Sequence, residues 1–94
     1  MFVIISFKHK ALKKFYETGN TSGIQHRHET RLRLILARLE AIHQPEDMNL
    51  PGFDFHPLKG QRKEEYAVSV NKNWRLIFKF NGKDVYDVNY EDYH

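Results

Sequence analysis

The residues best suited to chemistry fall in a loop, His56-Pro57-Leu58-Lys59-Gly60, and in the last residues, Tyr90-Glu91-Asp92-Tyr93-His94. His56 and Lys59 stand three residues apart in a basic loop that Pro57 stiffens and Gly60 allows to turn. An imidazole and an ammonium offered together suit phosphate binding or proton transfer. At the other end, Asp92, Tyr93 and His94 supply a carboxylate, a phenol and an imidazole, which are the parts of an acid–base system. Tyr93 can also stack on a base, as aromatic side chains do on single strands. Between the two lies Arg75, a cation inside the apolar stretch Trp74–Phe80 and suited to an anionic ligand. Taken singly, the first cluster reads as a plain surface loop and the second as a simple terminus.

The elements that must position these groups follow from apolar periodicity. Tyr66, Val68 and Val70 alternate with Ala67, Ser69 and Asn71, and Trp74, Leu76, Phe78 and Phe80 alternate with Arg75, Ile77 and Lys79. A period of two predicts two strands with one buried face, which puts Arg75 opposite in direction to Trp74 and Leu76. Asn71-Lys72-Asn73 offers residues that tolerate positive φ, so the pair reads as a hairpin. Asn81-Gly82 signals a type I′ turn into a last strand, Lys83 to Tyr90, with Tyr86, Val88 and Tyr90 on one face. Upstream, Phe2 to Phe7 is a nearly continuous apolar run, as in a strand buried on both faces. Ala11, Leu12, Phe15 and Tyr16 predict a helix over Lys8–Thr18 that Gly19 stops. Leu32, Ile35, Leu36, Leu39 and Ile42 predict another over Gln25–His43, with Glu29 and Arg33 as an i,i+4 pair and Pro45 ending it. Gln44–Gly52 reads as a linker. The fold class expected is α+β in the order strand-helix-helix-strand-strand-strand, with both N-terminal helices on one face of a small, mainly antiparallel sheet and the other face more open.

Composition narrows the function. Ninety-four residues, 40% apolar and 14% aromatic, suit one folded domain spanning residues 1–94. The absence of cysteine excludes disulfides and thiolate metal sites and fits a reducing cytoplasm. Met1-Phe2-Val3-Ile4-Ile5 lacks the basic start of a signal peptide, and no run is long enough to cross a bilayer, so a soluble, intracellular protein without a membrane partner is expected. The net charge is +3, and its distribution says more than the total. Lys8, Lys10, Lys13 and Lys14, then Arg27, Arg31, Arg33 and Arg38, then Lys59, Arg62 and Lys63 form three basic groups. Any one of them can simply solvate a surface, but three on a small domain tilt toward a polyanionic partner. His26 and His28 point in different directions on a helix, and no HExxH is present, so no metal or other cofactor is expected. No G-x-x-x-x-G-K, G-x-G-x-x-G or G-x-S-x-G occurs, which removes the common nucleotide and serine-hydrolase readings.

Leu58-Lys59-Gly60 followed by a strand, a short turn and Trp74-Arg75-Leu76-Ile77-Phe78 resembles the RelE/ParE toxin superfamily. Within it, Phe7-Lys8-His9-Lys10, His56-Pro57-Leu58-Lys59-Gly60, Asn73-Trp74-Arg75 and Asn89-Tyr90-Glu91-Asp92-Tyr93-His94 closely resemble the HigB toxins. The resemblance runs the length of the chain in order; its ends and loop are specific, while the helices match only in type and place. It implies a RelE-like microbial RNase fold and a cytoplasmic toxin of a bacterial type II toxin–antitoxin pair. Such a toxin enters the A site of the 70S ribosome and cuts the mRNA under translation, with the 2′-hydroxyl attacking the adjacent phosphate and no metal taking part. The implied partners are a HigA-like helix-turn-helix antitoxin, ribosomal RNA and mRNA, with operator DNA reached only through the antitoxin. The implied catalytic set is His56, Lys59, Arg75, Asp92, Tyr93 and His94, with Asn73 in support. Arg75 and Lys59 are then the charge stabilisers, while Asp92, His56 and His94 share proton transfers whose individual roles stay open. Lys8, Lys10, Arg27, Arg31, Arg33, Arg62 and Lys63 become RNA contacts, and charge reversal at Arg27, Arg31 and Arg33 is expected to leave the fold intact. Two rivals remain: a ParE-type inhibitor of DNA gyrase, for which the complete site set has no use, and a non-enzymatic RNA-binding adaptor.

Overall fold

A computed structural model describes residues 1–92. Five strands form one sheet: β1 (Val3–Ile4), β2 (His56–Pro57), β3 (Tyr66–Ser69), β4 (Trp74–Asn81) and β5 (Asp84–Asp92), in the spatial order β1-β5-β4-β3-β2. β1 runs parallel to β5, and every other neighbouring pair is antiparallel. Two helices, α1 (Lys10–Thr18) and α2 (Glu29–Ala41), bury Leu12 and Phe15, and Leu32, Ile35, Leu36 and Leu39, in one cluster with Val68, Leu76, Phe78, Val88 and Tyr90 of the sheet. This is the expected α+β meander under two helices. At about 2 kcal/mol for each large apolar side chain fully removed from water, this layer dominates the stability. Among the described residues no helix is long and apolar enough to cross a membrane.

Local chemistry explains the element ends. His9 caps α1, its Nδ1 accepting from Leu12 N–H at 3.1 Å, so the helix starts two residues later than expected. Gly19 ends it at φ 79°, where its N–H reaches Phe15 O. The residues before α2 form a short 3₁₀ turn, His26–His28. The linker-like stretch is structured too: Pro45–Met48 is a 3₁₀ turn in which Gln44 and Asp47 bond reciprocally, and Met48 is fully buried.

Several strand-level expectations change. The loop residues His56 and Pro57 form an edge strand against Ala67 and Tyr66, a position that tolerates a proline lacking N–H. The N-terminal run is not buried on both faces: Phe2 and Ile4 are buried, whereas Val3 and Ile5 are 55% and 57% exposed. β1 is the outermost strand, and the helices cover only one side of it. Neither Asn71 nor Asn73 takes positive φ. The Asn71 side chain folds the turn instead, its Oδ1 accepting from Asn73 N–H and Trp74 N–H, both at 2.9 Å. The next two-residue loop is Gly82-Lys83, with Gly82 alone at positive φ, the type II′ pattern rather than I′. The face away from the helices also holds fully buried apolar residues, Ala67 and Ile77, which pair with one another.

The most consequential departure lies in β5. Ile77 pairs with Asn89 but Lys79 with Tyr86, so one residue of β4 faces both Asp87 and Val88. Asp87 takes up the extra residue at φ 53°. This β-bulge reverses the alternation. Tyr86 therefore turns to the Lys79 side, where the ammonium stands 5.8 Å from its ring, while Val88 and Tyr90 enter the core beside Val85. The three residues do not share a face.

Candidate active site

Directly paired residues of adjacent strands share a face of the sheet. On the face away from the helices the pairings give one row of Ser69, Arg75 and Glu91, and a neighbouring row of His56, Ala67, Ile77 and Asn89. His56 and Arg75, brought from separate parts of the chain, thus stand on one surface.

Arg75 is largely covered, with its side chain 16% exposed. It donates to Glu91 Oε1 from Nη2 at 2.8 Å and from Nε at 3.2 Å. Arg62 grips the same carboxylate as a fork, Nη1 to Oε1 at 3.0 Å and Nη2 to Oε2 at 3.2 Å, while its Nε donates to Glu65 at 2.6 Å. Hydrogen bonds from Arg62 hold the Glu91 carboxyl below its usual range; burial opposes them, and Arg75 adds to the lowering. In return Glu91, and then Glu65, push the Arg62 guanidinium further above its ordinary value.

His56 is oriented by its own strand entry. Its Nδ1 lies 2.7 Å from the carbonyl of Asp54, a residue at φ 50°. A carbonyl only accepts, so Nδ1 carries the proton and a neutral ring keeps its lone pair on Nε2. Lys59 is exposed and immediately precedes the 3₁₀ turn Gly60–Arg62, which carries Arg62 back toward the sheet. Lys63 follows it, also exposed. Asn73 sits in the β3–β4 turn beside Trp74. Asp92 ends β5 in register with Trp74, one residue beyond the Arg75–Glu91 pair. Tyr93 and His94 lie outside the described residues.

The basic residues divide in two. Lys8, Lys10, Arg27 and Arg33 are exposed, and Arg33 makes the expected i,i+4 pair with Glu29 at 3.4 Å. Arg31 points inward. It donates to Ser69 O from Nε and Nη2 and to Gly52 O from Nη2, and its guanidinium lies 4.6 Å from the centre of the Phe53 ring. A carboxylate at this position could not donate to those carbonyls, so charge reversal at Arg31, unlike at the exposed Arg27, acts on contacts within the fold. The three side-chain nitrogens of Arg62 are likewise occupied by carboxylates.

Two groups of residues escaped the sequence reading. Glu91 was visible only as part of an acidic tail, because its pairing depends on the bulge. Beneath the hairpin, His28 is buried with Nδ1 2.5 Å from Tyr90 OH and Nε2 2.6 Å from Asn71 Nδ2. Tyr90 packs on Trp74 with ring centres 4.5 Å apart, and the His9 ring meets it edge-on at 5.4 Å. Burial, then Arg27, lowers the pKa of His28, and burial raises that of Tyr90. This network braces the strand that leads into Asp92. Among the described residues no three His, Asp or Glu side chains gather as metal ligands.

Residues 5–94 match the protein family described as the RelE-like toxin of type II toxin–antitoxin system HigB. The chain belongs to the HigB-like toxins. It is 39% identical over 92 residues to the Endoribonuclease HigB of Proteus vulgaris, an alignment that spans 98% of this chain and all of that protein. The fold agrees. YafQ from E. coli superposes with a TM-score of 0.65 at 17% identity, covering 98% of this chain and 93% of that one. A chain of the E. coli DinJ-YafQ toxin-antitoxin complex superposes at 0.56 with 16% identity, covering 97% and 91%. The family's small α+β toxin fold is therefore the one found here.

Proposed function

We propose that residues 1–94 form one toxin domain that acts as a ribosome-dependent endoribonuclease, cutting translated mRNA in the A site and so stopping translation and growth. The reading rests on one observation above the rest: His56 and Arg75 share the sheet face away from the helices in a chain 39% identical to a protein named Endoribonuclease HigB.

In this mechanism the ribose 2′-hydroxyl attacks the adjacent phosphorus and gives up its proton. The bond to the 5′-oxygen breaks, that oxygen takes a proton, and a 2′,3′-cyclic phosphate and a 5′-hydroxyl result. His56 Nε2 is oriented to accept a proton. Arg75 and Lys59 neutralise the extra negative charge on the phosphorane-like transition state, where preorganised charge acts most strongly. Asp92 and His94 share the remaining proton transfers, and Tyr93 stacks on or positions the nucleotide. These groups suffice for cleavage without a metal. The ribosome orients the messenger, which by itself can account for much of a rate enhancement. Lys8, Lys10, Arg27, Arg33 and Lys63 meet ribosomal RNA phosphates. A HigA-like helix-turn-helix antitoxin restrains the toxin in the cytoplasm and carries it to operator DNA. The solved DinJ-YafQ toxin-antitoxin complex, whose toxin chain shares this fold, supports an antitoxin partner.

Primer extension on a defined messenger in a reconstituted bacterial translation system tests this reading. Wild type should cut at A-site codons only while ribosomes translate, and Arg75→Ala or removal of His94 should suppress the cuts. A folded, antitoxin-free wild type that leaves the messenger intact would overturn it, and inhibition of gyrase supercoiling would then identify the ParE-type alternative.

A further inference from the structure

Glu91 has no part in the proton transfers or charge stabilisation above, yet its carboxylate receives four N–H bonds from two guanidiniums. We propose that Glu91 is a positioning residue for RNA cleavage: it locks the Arg75 guanidinium on the sheet face away from the helices, with Arg62 anchoring the same carboxylate through both of its oxygens. The inference rests on the nuclease reading and adds to it a residue that acts through Arg75.

Arginine has a long, rotatable stem, and a charge stabilises a transition state well only when it is already in place. Cross-strand pairing puts Glu91 directly opposite Arg75, so the carboxylate reaches the guanidinium with little freedom on either side. Arg62 comes from the loop that also carries Lys59, and Glu65, with its side chain only 8% exposed, fixes Arg62 in turn. The chain Glu65–Arg62–Glu91–Arg75 therefore ties the basic loop to the hairpin.

Charge makes the role distinguishable from simple bracing. Two guanidiniums and two carboxylates sum to zero, so Glu91 weakens the pull of this face on any RNA phosphate while it improves the placement of Arg75. Removing its charge should move binding and rate in opposite directions. An ion pair that served stability alone could be neutralised without that split.

The test is single-turnover cleavage by the full-length toxin on programmed ribosomes, giving a maximal rate and a half-saturating toxin concentration. Glu91→Gln should lower the maximal rate by about tenfold or more, while half-saturation moves to equal or lower concentration. Salt dependence should steepen, because one more net positive charge faces phosphate. Glu91→Asp, which keeps the charge, should recover part of the rate. Arg62→Met, which removes the other guanidinium of the clamp, should slow cleavage in a way not additive with Glu91→Gln, and it carries the test if Glu91→Gln does not fold. An unchanged maximal rate in both variants, or a loss confined to half-saturation, would overturn the positioning role. So would a Glu91→Gln profile that loses its acid limb with pH, since Glu91 would then itself be exchanging the proton. No cleavage by wild type would overturn the nuclease reading instead, so the two failures are distinct.

Discussion

Ser6 and Asp87, far apart in sequence, are joined by a hydrogen bond in which Asp87 N–H donates to Ser6 Oγ at 2.9 Å. Val88 N–H donates to Ser6 O at 3.1 Å beside it. Between them these bonds satisfy the two amides of the β5 bulge, which cannot both pair with β4. The bulge in turn sets Arg75 opposite Glu91. Ser6→Ala removes the side-chain acceptor and should cost about 1 kcal/mol of stability. Cleavage by the Ser6→Ala protein should also fall more than its folded fraction explains, because the register of the site residues loosens. Denaturant titration and a cleavage assay on the same preparation check both.

The His28–Tyr90 contact gives the fold a pH dependence. Burial lowers the pKa of His28 and of His9 from the ordinary value of 6.5. A histidine with a lowered folded pKa binds fewer protons folded than unfolded. Its contribution to stability is therefore complete above about pH 6.5 and is lost as the pH falls from there through the folded pKa. The melting temperature should drop between neutral and mildly acidic pH, and His28→Gln, which retains a hydrogen-bonding group but cannot titrate, should flatten that drop. Tyr90→Phe should cost about 1–3 kcal/mol by leaving a buried ring nitrogen without its partner.

Arg31 and Arg27 look alike in sequence and should behave differently. Arg31→Ala abandons the carbonyls of Ser69 and Gly52, and should lower stability by about 1–3 kcal/mol in a urea titration. Arg27 is exposed, and Arg27→Glu should stay within about 0.5 kcal/mol of wild type. If Arg27 meets ribosomal RNA, the same variant should lose ribosome affinity in a sedimentation assay.

Substitution of either candidate catalytic side chain on the face away from the helices should lower the rate without unfolding the protein. Arg75→Ala should raise the barrier by about 3 kcal/mol, roughly a hundredfold in rate. His56→Gln should slow cleavage by about a hundredfold or more if Nε2 takes the 2′-hydroxyl proton. Both are read from single-turnover cleavage, with melting curves to confirm that the proteins are folded.

Much of this protein is legible from local pattern. A period near 3.6 at Leu32, Ile35, Leu36 and Leu39, and a period of two at Leu76 and Phe78, follow from how each backbone presents side chains to one core. The direction of Arg75, away from Leu76, needs no more than that alternation. The grouping of His56, Lys59 and Arg75 as a site came from resemblance, because spacing alone gives a loop and a lone cation.

What the tertiary structure alone decided is parity and partnership. Counting straight back from the Asn81–Asp84 pair would put Arg75 opposite Tyr90; the bulge at Asp87 moves it to Glu91 and puts Val88 and Tyr90 on the face opposite to Tyr86. That bulge is held by Ser6, a contact no local window contains. The same holds for Arg31 with Ser69 and Gly52, Arg62 with Glu91, and His28 with Tyr90, pairs 21 to 62 residues apart. Periodicity says which face a side chain takes. Which charge it meets there depends on long-range register, and a single extra residue in one strand is enough to change it.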